Sequence, residues 1–138
     1  VLANDDIMLT IAPGEHGSTY GGSPMAASVA IASLSVVRDE QLTRNAFEMG
    51  ELFRNEIAKI NNPMLLKVRG KGLLNAVVTR PMEHKTAWDI CLALKENGLL
   101  AKPTHGDIIR FTPPLIITKE QMMDSIAIIR KTLDAFGK

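Results

Sequence analysis

Two stretches of this 138-residue chain carry side chains suited to holding anions. The first is Asp107-Ile108-Ile109-Arg110-Phe111-Thr112-Pro113-Pro114, where one arginine stands among apolar neighbours on a predicted short strand. Alternation along a strand gives Arg110 one face of the sheet to itself. If that face lines a pocket, the planar guanidinium is shaped to grip a carboxylate through two parallel hydrogen bonds. A structural ion pair with Asp107 is the alternative, and residue types alone leave the two open. The second stretch runs from Pro13 to Pro24, with four glycines and two prolines in twelve residues. Such a composition excludes a regular element and predicts a loop that turns sharply or approaches something closely. Its glycines free backbone amides to face an anion, Ser18 and Thr19 add hydroxyls, and a helix is predicted to start just afterwards. Together these suit a phosphate group. A plain loop that needs glycine for its turns is the alternative, because the spacing matches neither a Walker motif nor a dinucleotide fingerprint.

Other reactive residue types are sparse. His16, His84 and His105 have no metal-ligand spacing to one another or to Cys91, so no metal site is expected. His16 reads as a donor that structures its loop rather than as a general base, and no serine-histidine-acid arrangement can be argued. The single cysteine, Cys91, rules out an internal disulfide framework and fits a reducing compartment. It lies in an apolar helical stretch and is expected to be a packed, unreactive thiol. Trp88 and the methionines at helical spacing are likewise expected in the core.

Composition narrows the function classes. With 46% hydrophobic residues, 22% charged residues and a net charge of +1, the chain has an ordinary globular makeup. No run of five or more basic residues provides a field for nucleic acid. No apolar run approaches the roughly 20 residues of a membrane-spanning helix. The chain opens Val1-Leu2-Ala3, without an initiator methionine or a leader, and reads as the middle of a longer protein.

The elements that must position the two stretches follow from periodicity. Ile7-Met8-Leu9-Thr10 is a possible strand edge. Ser23 is the expected N-cap and Pro24 the first residue of a helix over 25–37, which is apolar nearly all round and therefore expected to be buried on most faces. A long amphipathic helix is predicted over 40–60, with Leu42, Ala46, Met49, Phe53 and Ile57 as its stripe, stopped by Asn61-Asn62-Pro63. Strands are predicted over 64–68 and 73–79, joined by a tight turn or bulge at Arg69-Gly70-Lys71-Gly72. A helix over 84–97 ends at Gly98. Strands over 99–102 and 108–112 flank the turn-rich Pro103–Asp107. Thr118 opens the last helix as a capping box with Gln121, and Met122, Ile126, Ile129, Leu133 and Phe136 give it one apolar face. The order predicts an α+β fold, a small sheet with helices packed on one side. The first long helix is expected to bridge to whatever precedes Val1.

Three of these segments resemble one family. Gly14-Glu15-His16-Gly17-Ser18-Thr19-Tyr20-Gly21-Gly22 is similar to the loop that follows the cofactor lysine in class III, fold-type I aminotransferases, which use pyridoxal 5'-phosphate (PLP). Arg69-Gly70-Lys71-Gly72-Leu73-Leu74 resembles the glycine-rich turn of that family's small C-terminal domain. The stretch from Gly98 to Phe111 looks like the branch that takes ornithine as amino donor. The acetylornithine and 4-aminobutyrate branches keep the arginine and the proline pair but not Lys102-Pro103-Thr104-His105-Gly106-Asp107. The resemblance spans essentially the whole chain. One departure is Ser23-Pro24-Met25-Ala26-Ala27, where members more often carry asparagine-proline-leucine-glycine.

The resemblance implies residues 1–24 as the tail of a large PLP-binding domain, 25–60 as connecting helices and 61–138 as the small C-terminal domain. It implies that Ser18 and Thr19 reach the phosphate of PLP held by the other subunit of a homodimer. It implies that Arg110 grips the α-carboxylate of 2-oxoglutarate or glutamate. An amino donor and a 2-oxo acid are the implied small-molecule partners, in the cytoplasm or the mitochondrial matrix. The lysine that carries the cofactor, and the acid that holds its ring nitrogen, fall upstream of the loop in the family. This chain by itself is therefore expected to be catalytically inert.

Overall fold

The computed structural model describes residues 2–81 and 85–136. The chain divides into two compact units, Val1–Val37 and Arg38–Lys138.

In the first unit the expected strand edge at Ile7–Thr10 is instead part of a single helical turn, α1 (Asp5–Met8), and the turn after it. Asp5 and Asp6 sit in its first turn, where carboxylates complement the exposed amides of a helix start. The Thr10 hydroxyl donates to the Ile7 carbonyl at 2.6 Å. Residues 9–23 are irregular, as their glycine content predicts. Helix α2 (Pro24–Asp39) begins at the expected proline, and the Ala27 amide closes its first turn onto the Ser23 carbonyl at 2.9 Å. Its expected burial is not supplied by this chain: no residue of α2 is buried, and Met25, Val29, Ile31 and Leu34 all face outward. An all-round apolar pattern records that a helix needs cover, without saying which chain provides it.

The second unit is built on a four-stranded antiparallel sheet of order β1-β2-β4-β3, made from β1 (Leu65–Lys71), β2 (Leu74–Thr79), β3 (Lys102–Thr104) and β4 (Ile108–Phe111). Asn75, Val77 and Thr79 of β2 and Ile109 and Phe111 of β4 are buried on one face. Helix α3 (Leu42–Ala58) covers β1 and β2 there, and α4 (Ala87–Glu96) covers β3 and β4. Helix α5 (Lys119–Phe136) packs across α3 and α4. Its Met122, Ile126, Ile129 and Leu133 meet Phe53, Ile57, Ile90 and Leu94 in one core. Each such side chain contributes roughly 1.5–3 kcal/mol by leaving water. The predicted stripes of α3 and α5 and the one-sided helix layer are thus observed.

Local chemistry sets the element boundaries. Thr118 and Gln121 form the expected capping box: the Thr118 amide donates to Gln121 Oε1 at 3.0 Å and the Gln121 amide to Thr118 Oγ1 at 3.2 Å. A second box, not anticipated, opens α4, where the Thr86 amide donates to Asp89 Oδ2 at 2.7 Å. That bond holds the Asp89 carboxyl below the usual range. The expected helix start at His84 lies outside the described residues. Trp88 departs from the core assignment: it is 58% exposed, one residue out of phase with the buried Ala87, Ile90, Cys91 and Leu94.

Two strand assignments also shift. Arg69 and Gly70 are not a turn but ladder positions, paired with Ala76 and Asn75, and the turn is Gly72-Leu73 with Gly72 at φ +53°. Gly70 is required for closeness rather than for turning, because a Cβ there would collide with the Asn75 side chain and the Leu74 carbonyl. Strand β3 starts at Lys102 instead of Leu99, because the Leu99 amide closes the end of α4 onto the Leu94 carbonyl at 2.9 Å, beyond Gly98 at φ +89°. Pro103 then falls on an edge strand, where its missing donor costs little.

Gly50 of α3 faces the β1–β2 turn so closely that a Cβ would overlap the Gly72 carbonyl. At an open helical site Gly→Ala stabilises by roughly 1 kcal/mol. Here Gly50→Ala is expected to destabilise by about 1–3 kcal/mol, as backbone must shift to admit the methyl. Urea unfolding measures the sign directly, and a stabilised variant would contradict the close packing.

Candidate functional site

Arg110 is on the face of the sheet that the helices leave open. Its strand neighbours Ile109 and Phe111 point into the core, so alternation turns Arg110 outward, where it is exposed. Among the described residues no carboxylate lies within ion-pair distance of it; the observed pairs are Arg38–Asp39, Arg44–Glu48, Arg54–Glu51 and Lys59–Glu56, all on helices or helix ends. The alternative pairing with Asp107 is therefore not observed. The Asp107 carbonyl instead accepts from the Thr79 amide at 2.8 Å and the Thr79 hydroxyl at 3.0 Å.

Register places further cations beside Arg110. Ala76 pairs with Arg110 on one side and with Arg69 on the other, while Lys102 pairs with Arg110 across β3. The cross-strand row is thus Arg69–Ala76–Arg110–Lys102. Two clefts meet at Arg110. One, of about 480 Å³, is lined by Phe53, Leu99, Lys102, Phe111 and Pro113 among others and is mainly apolar. The other, of about 440 Å³, is lined by Arg69, Lys71, Ala76, Thr104 and His105 and opens over the sheet. His105 holds a left-handed backbone at φ +52°, unusual for a side chain of its size, and its Nδ1 lies 3.0 Å from Thr104 Oγ1.

Asn75 lines both clefts from beneath. Arg54 Nη1 donates to Asn75 Oδ1 at 2.7 Å and to the Gly72 carbonyl at 3.0 Å, and Asn75 Nδ2 donates to the same carbonyl at 3.1 Å. This network fixes the β1–β2 hairpin and hence the row above it. Neither Arg69 nor Asn75 stood out as a site residue in the sequence, Arg69 because the glycines beside it suggested a turn and Asn75 because it fell inside a predicted strand. The readable signal was Lys67, Arg69 and Lys71 at a spacing of two, which puts three cations on one face of a strand.

Ser18 and Thr19 belong to the first unit and Arg110 to the second. Within its own unit the loop is exposed throughout. Ser18 Oγ accepts the Gly21 amide at 2.9 Å, which leaves its proton free to donate, and no hydrogen bond engages the Thr19 hydroxyl among the described residues. Gly14 and Gly22 take φ values of +91° and +78°, open to glycine at no cost.

A class III aminotransferase model matches residues 1–133. The chain belongs to the class III aminotransferases. It is 59% identical over 133 residues to the mitochondrial ornithine aminotransferase of Drosophila melanogaster, a match covering 96% of this chain and 30% of the fly protein. The ornithine aminotransferase of Plasmodium yoelii superposes with a TM-score of 0.85 at 49% identity, covering 98% of this chain and 36% of that one. The acetylornithine aminotransferase of Elizabethkingia anophelis superposes with a TM-score of 0.84 at 56% identity, again over 98% and 36%. The chain thus spans about a third of the length of these relatives. No described helix is long and apolar enough to cross a membrane. Among the described residues no group of three or more His, Cys, Asp or Glu is placed to hold a metal ion.

Cys91 is buried as expected, and burial pushes its thiol from 9.0 up to about 11. The unfolded chain sheds this proton first, so the stability it contributes is full below pH 9 and is lost as pH rises toward 11. Replacing Cys91 by serine, which does not titrate in this range, should flatten the fall in stability between these pH values. An unchanged slope, or rapid alkylation of native Cys91 at pH 8, would contradict a packed neutral thiol.

Proposed function

We propose that this chain is the C-terminal part of an ornithine aminotransferase. The complete protein would convert ornithine and a 2-oxo acid into glutamate-5-semialdehyde and an amino acid. The observation that carries the reading is Arg110: an exposed guanidinium with no carboxylate partner among the described residues, at the junction of two clefts. A fork of five N–H donors in that position suits the α-carboxylate of 2-oxoglutarate or glutamate, which it would bind and orient through two parallel bonds. The apolar cleft on one side of Arg110 would keep water from that ion pair and strengthen it.

Class III membership implies PLP as the cofactor of the complete protein. Bound PLP supplies the electron sink through which an amino group can leave one carbon skeleton and join another. In this reading Ser18 and Thr19 donate their hydroxyl protons to its phosphate, held by the other subunit of a homodimer. The donor set fits: two hydroxyls, glycines that keep the backbone accessible, and a helix start at Pro24 are what an oxygen-rich dianion accepts. The lysine that carries the cofactor is proposed to lie outside these 138 residues, so that the chain alone neither holds PLP covalently nor turns over substrate.

A second reading, acetylornithine as amino donor, is favoured by the 56% identity to the Elizabethkingia protein. A third donor within the class is 4-aminobutyrate. Steady-state assays of the complete protein with the three donors separate them, and the highest kcat/KM is expected for ornithine. In that protein Arg110→Ala should raise KM for 2-oxoglutarate by at least about thirtyfold, the equivalent of losing roughly 2–5 kcal/mol for one desolvated charged contact. Its unfolding midpoint should barely move, because the Arg110 side chain is exposed and makes no ion pair among the described residues. Oxo-acid kinetics equal to wild type would remove the carboxylate role. Turnover of ornithine by the isolated chain with added PLP would overturn the proposed division of labour.

A further inference from the structure

We propose that the open face of the sheet is an anion-collecting surface, in which Arg69 is a second working guanidinium that draws dicarboxylates onto Arg110. The inference rests on the carboxylate role given to Arg110 above. It extends that role to a residue and a surface with a different physical job, attraction rather than grip.

The four strands contain Lys67, Arg69, Lys71, Lys102 and Arg110 and no acidic residue. The chain as a whole has a net charge of only +1, so the acids are displaced off the strands, onto helices and loops. Register then sorts the cations by face. Val68 pairs with buried Val77 on the core side, so Lys67, Arg69 and Lys71 alternate to the open side, the side shared by Ala76 and Arg110. Lys102 joins them across β3. None of the five forms an ion pair with an acid among the described residues; the same is true of Arg80, Lys95 and Arg130, so it is gathering on one face that sets the five apart.

Spacing makes the cluster a unit. Adjacent strands lie about 4.8 Å apart, so the Arg69 and Arg110 backbones, with β2 between them, are roughly 10 Å apart. The residue between them is Ala76, whose methyl leaves the space above the sheet open for both long side chains. The cleft of about 440 Å³ at this place is walled by Arg69 and Lys71 on one side and by the Thr104–His105 turn on the other. Like charges gathered without counter-ions repel one another, and a dianion between them relieves that repulsion. A surface built for solubility mixes both signs. Edge protection accounts for cations on β1 but not for Arg110 on the inner strand β4, with which Arg69 lines one cleft.

The consequence is a preference by charge. A 2-oxo dicarboxylic acid carries two negative charges and is drawn in, a monocarboxylic oxo acid less so, and a diamino acid with a net positive charge is repelled. Steering by such a field raises association rates by tenfold or more and weakens steeply as salt screens it.

The test uses the complete protein and follows the two half-reactions separately by stopped flow. Arg69→Gln should lower the second-order rate constant for 2-oxoglutarate by about tenfold at low ionic strength, lower that for pyruvate less, and raise that for ornithine. The differences should vanish near 1 M salt, where the screening length is about 3 Å. Arg69→Lys should restore the wild-type values, because charge and not the fork is what steers. Equal losses in both half-reactions, a loss insensitive to salt, or no change would each overturn the proposal. Arg110→Ala in the same assay tells the two readings apart. Its loss should persist at high salt, and if that variant were silent the carboxylate role and this inference would fall together. A silent Arg69→Gln beside a damaged Arg110→Ala removes only the steering.

Discussion

The carbonyl oxygen of Gly72 is where a helix, a hairpin and two polar side chains are locked together. It accepts hydrogen bonds from Arg54 of α3 and from Asn75 of β2, while the bare Cα of Gly50 lets the helix backbone approach to within contact of it. Arg54 is mostly buried, and a guanidinium taken from water without partners would be costly. Here it is satisfied by Gly72, Asn75 and Glu51 at once. The polar triangle therefore stabilises only one arrangement of α3 on the sheet. A slip of one residue in β2 would turn Asn75, Val77 and Thr79 outward and take the Asn75 acceptor from Arg54.

That constraint decides the chemistry of the opposite face. Once β2 commits its odd-numbered positions to the core, its even positions and their cross-strand partners must face outward, and these include Arg69, Arg110 and Lys102. The sheet is thus apolar and helix-covered below, while its open side carries the cationic row together with Leu74, Val78 and Ile108. Hydrophobic burial and the row of cations are separated by the thickness of a single sheet, and the same alternation enforces both. Because Asn75 also lines the two clefts that meet at Arg110, a residue that holds the fold borders the candidate site.

The first unit has a different character. No residue of its loop or of α2 is fully buried, and α2 presents Met25, Val29, Ile31 and Leu34 to the outside. A helix so apolar belongs against another surface. This agrees with a chain that spans about a third of its relatives' length. In the glycine loop before it Ser18 Oγ accepts the Gly21 amide, while no hydrogen bond engages the Thr19 hydroxyl among the described residues.

Much of this was written in local sequence. The long helices α3 and α5 announced themselves by period, and Thr118 with Gln121 marked a start that the hydrogen bonds reproduce. Cys91 in an apolar helix was expected to be buried, and Arg110 between two apolar strand residues was expected to face away from the core, with its partner left open. Each of these depends on interactions within a few residues, which a linear sequence carries in full. What tertiary structure alone decided depends on residues far apart in the chain. Glycines at 70 and 72 look alike in sequence, yet one is a ladder residue pressed against Asn75 and the other a turn at positive φ. Trp88 faces water because the core lies one residue out of phase with it, and β3 begins at Lys102 because Leu99 is spent closing a helix. The alignment of Arg69 with Arg110 through Ala76 is of the same kind. It arises from pairing three strands drawn from two ends of the domain, and register is a property of the partners rather than of any one segment.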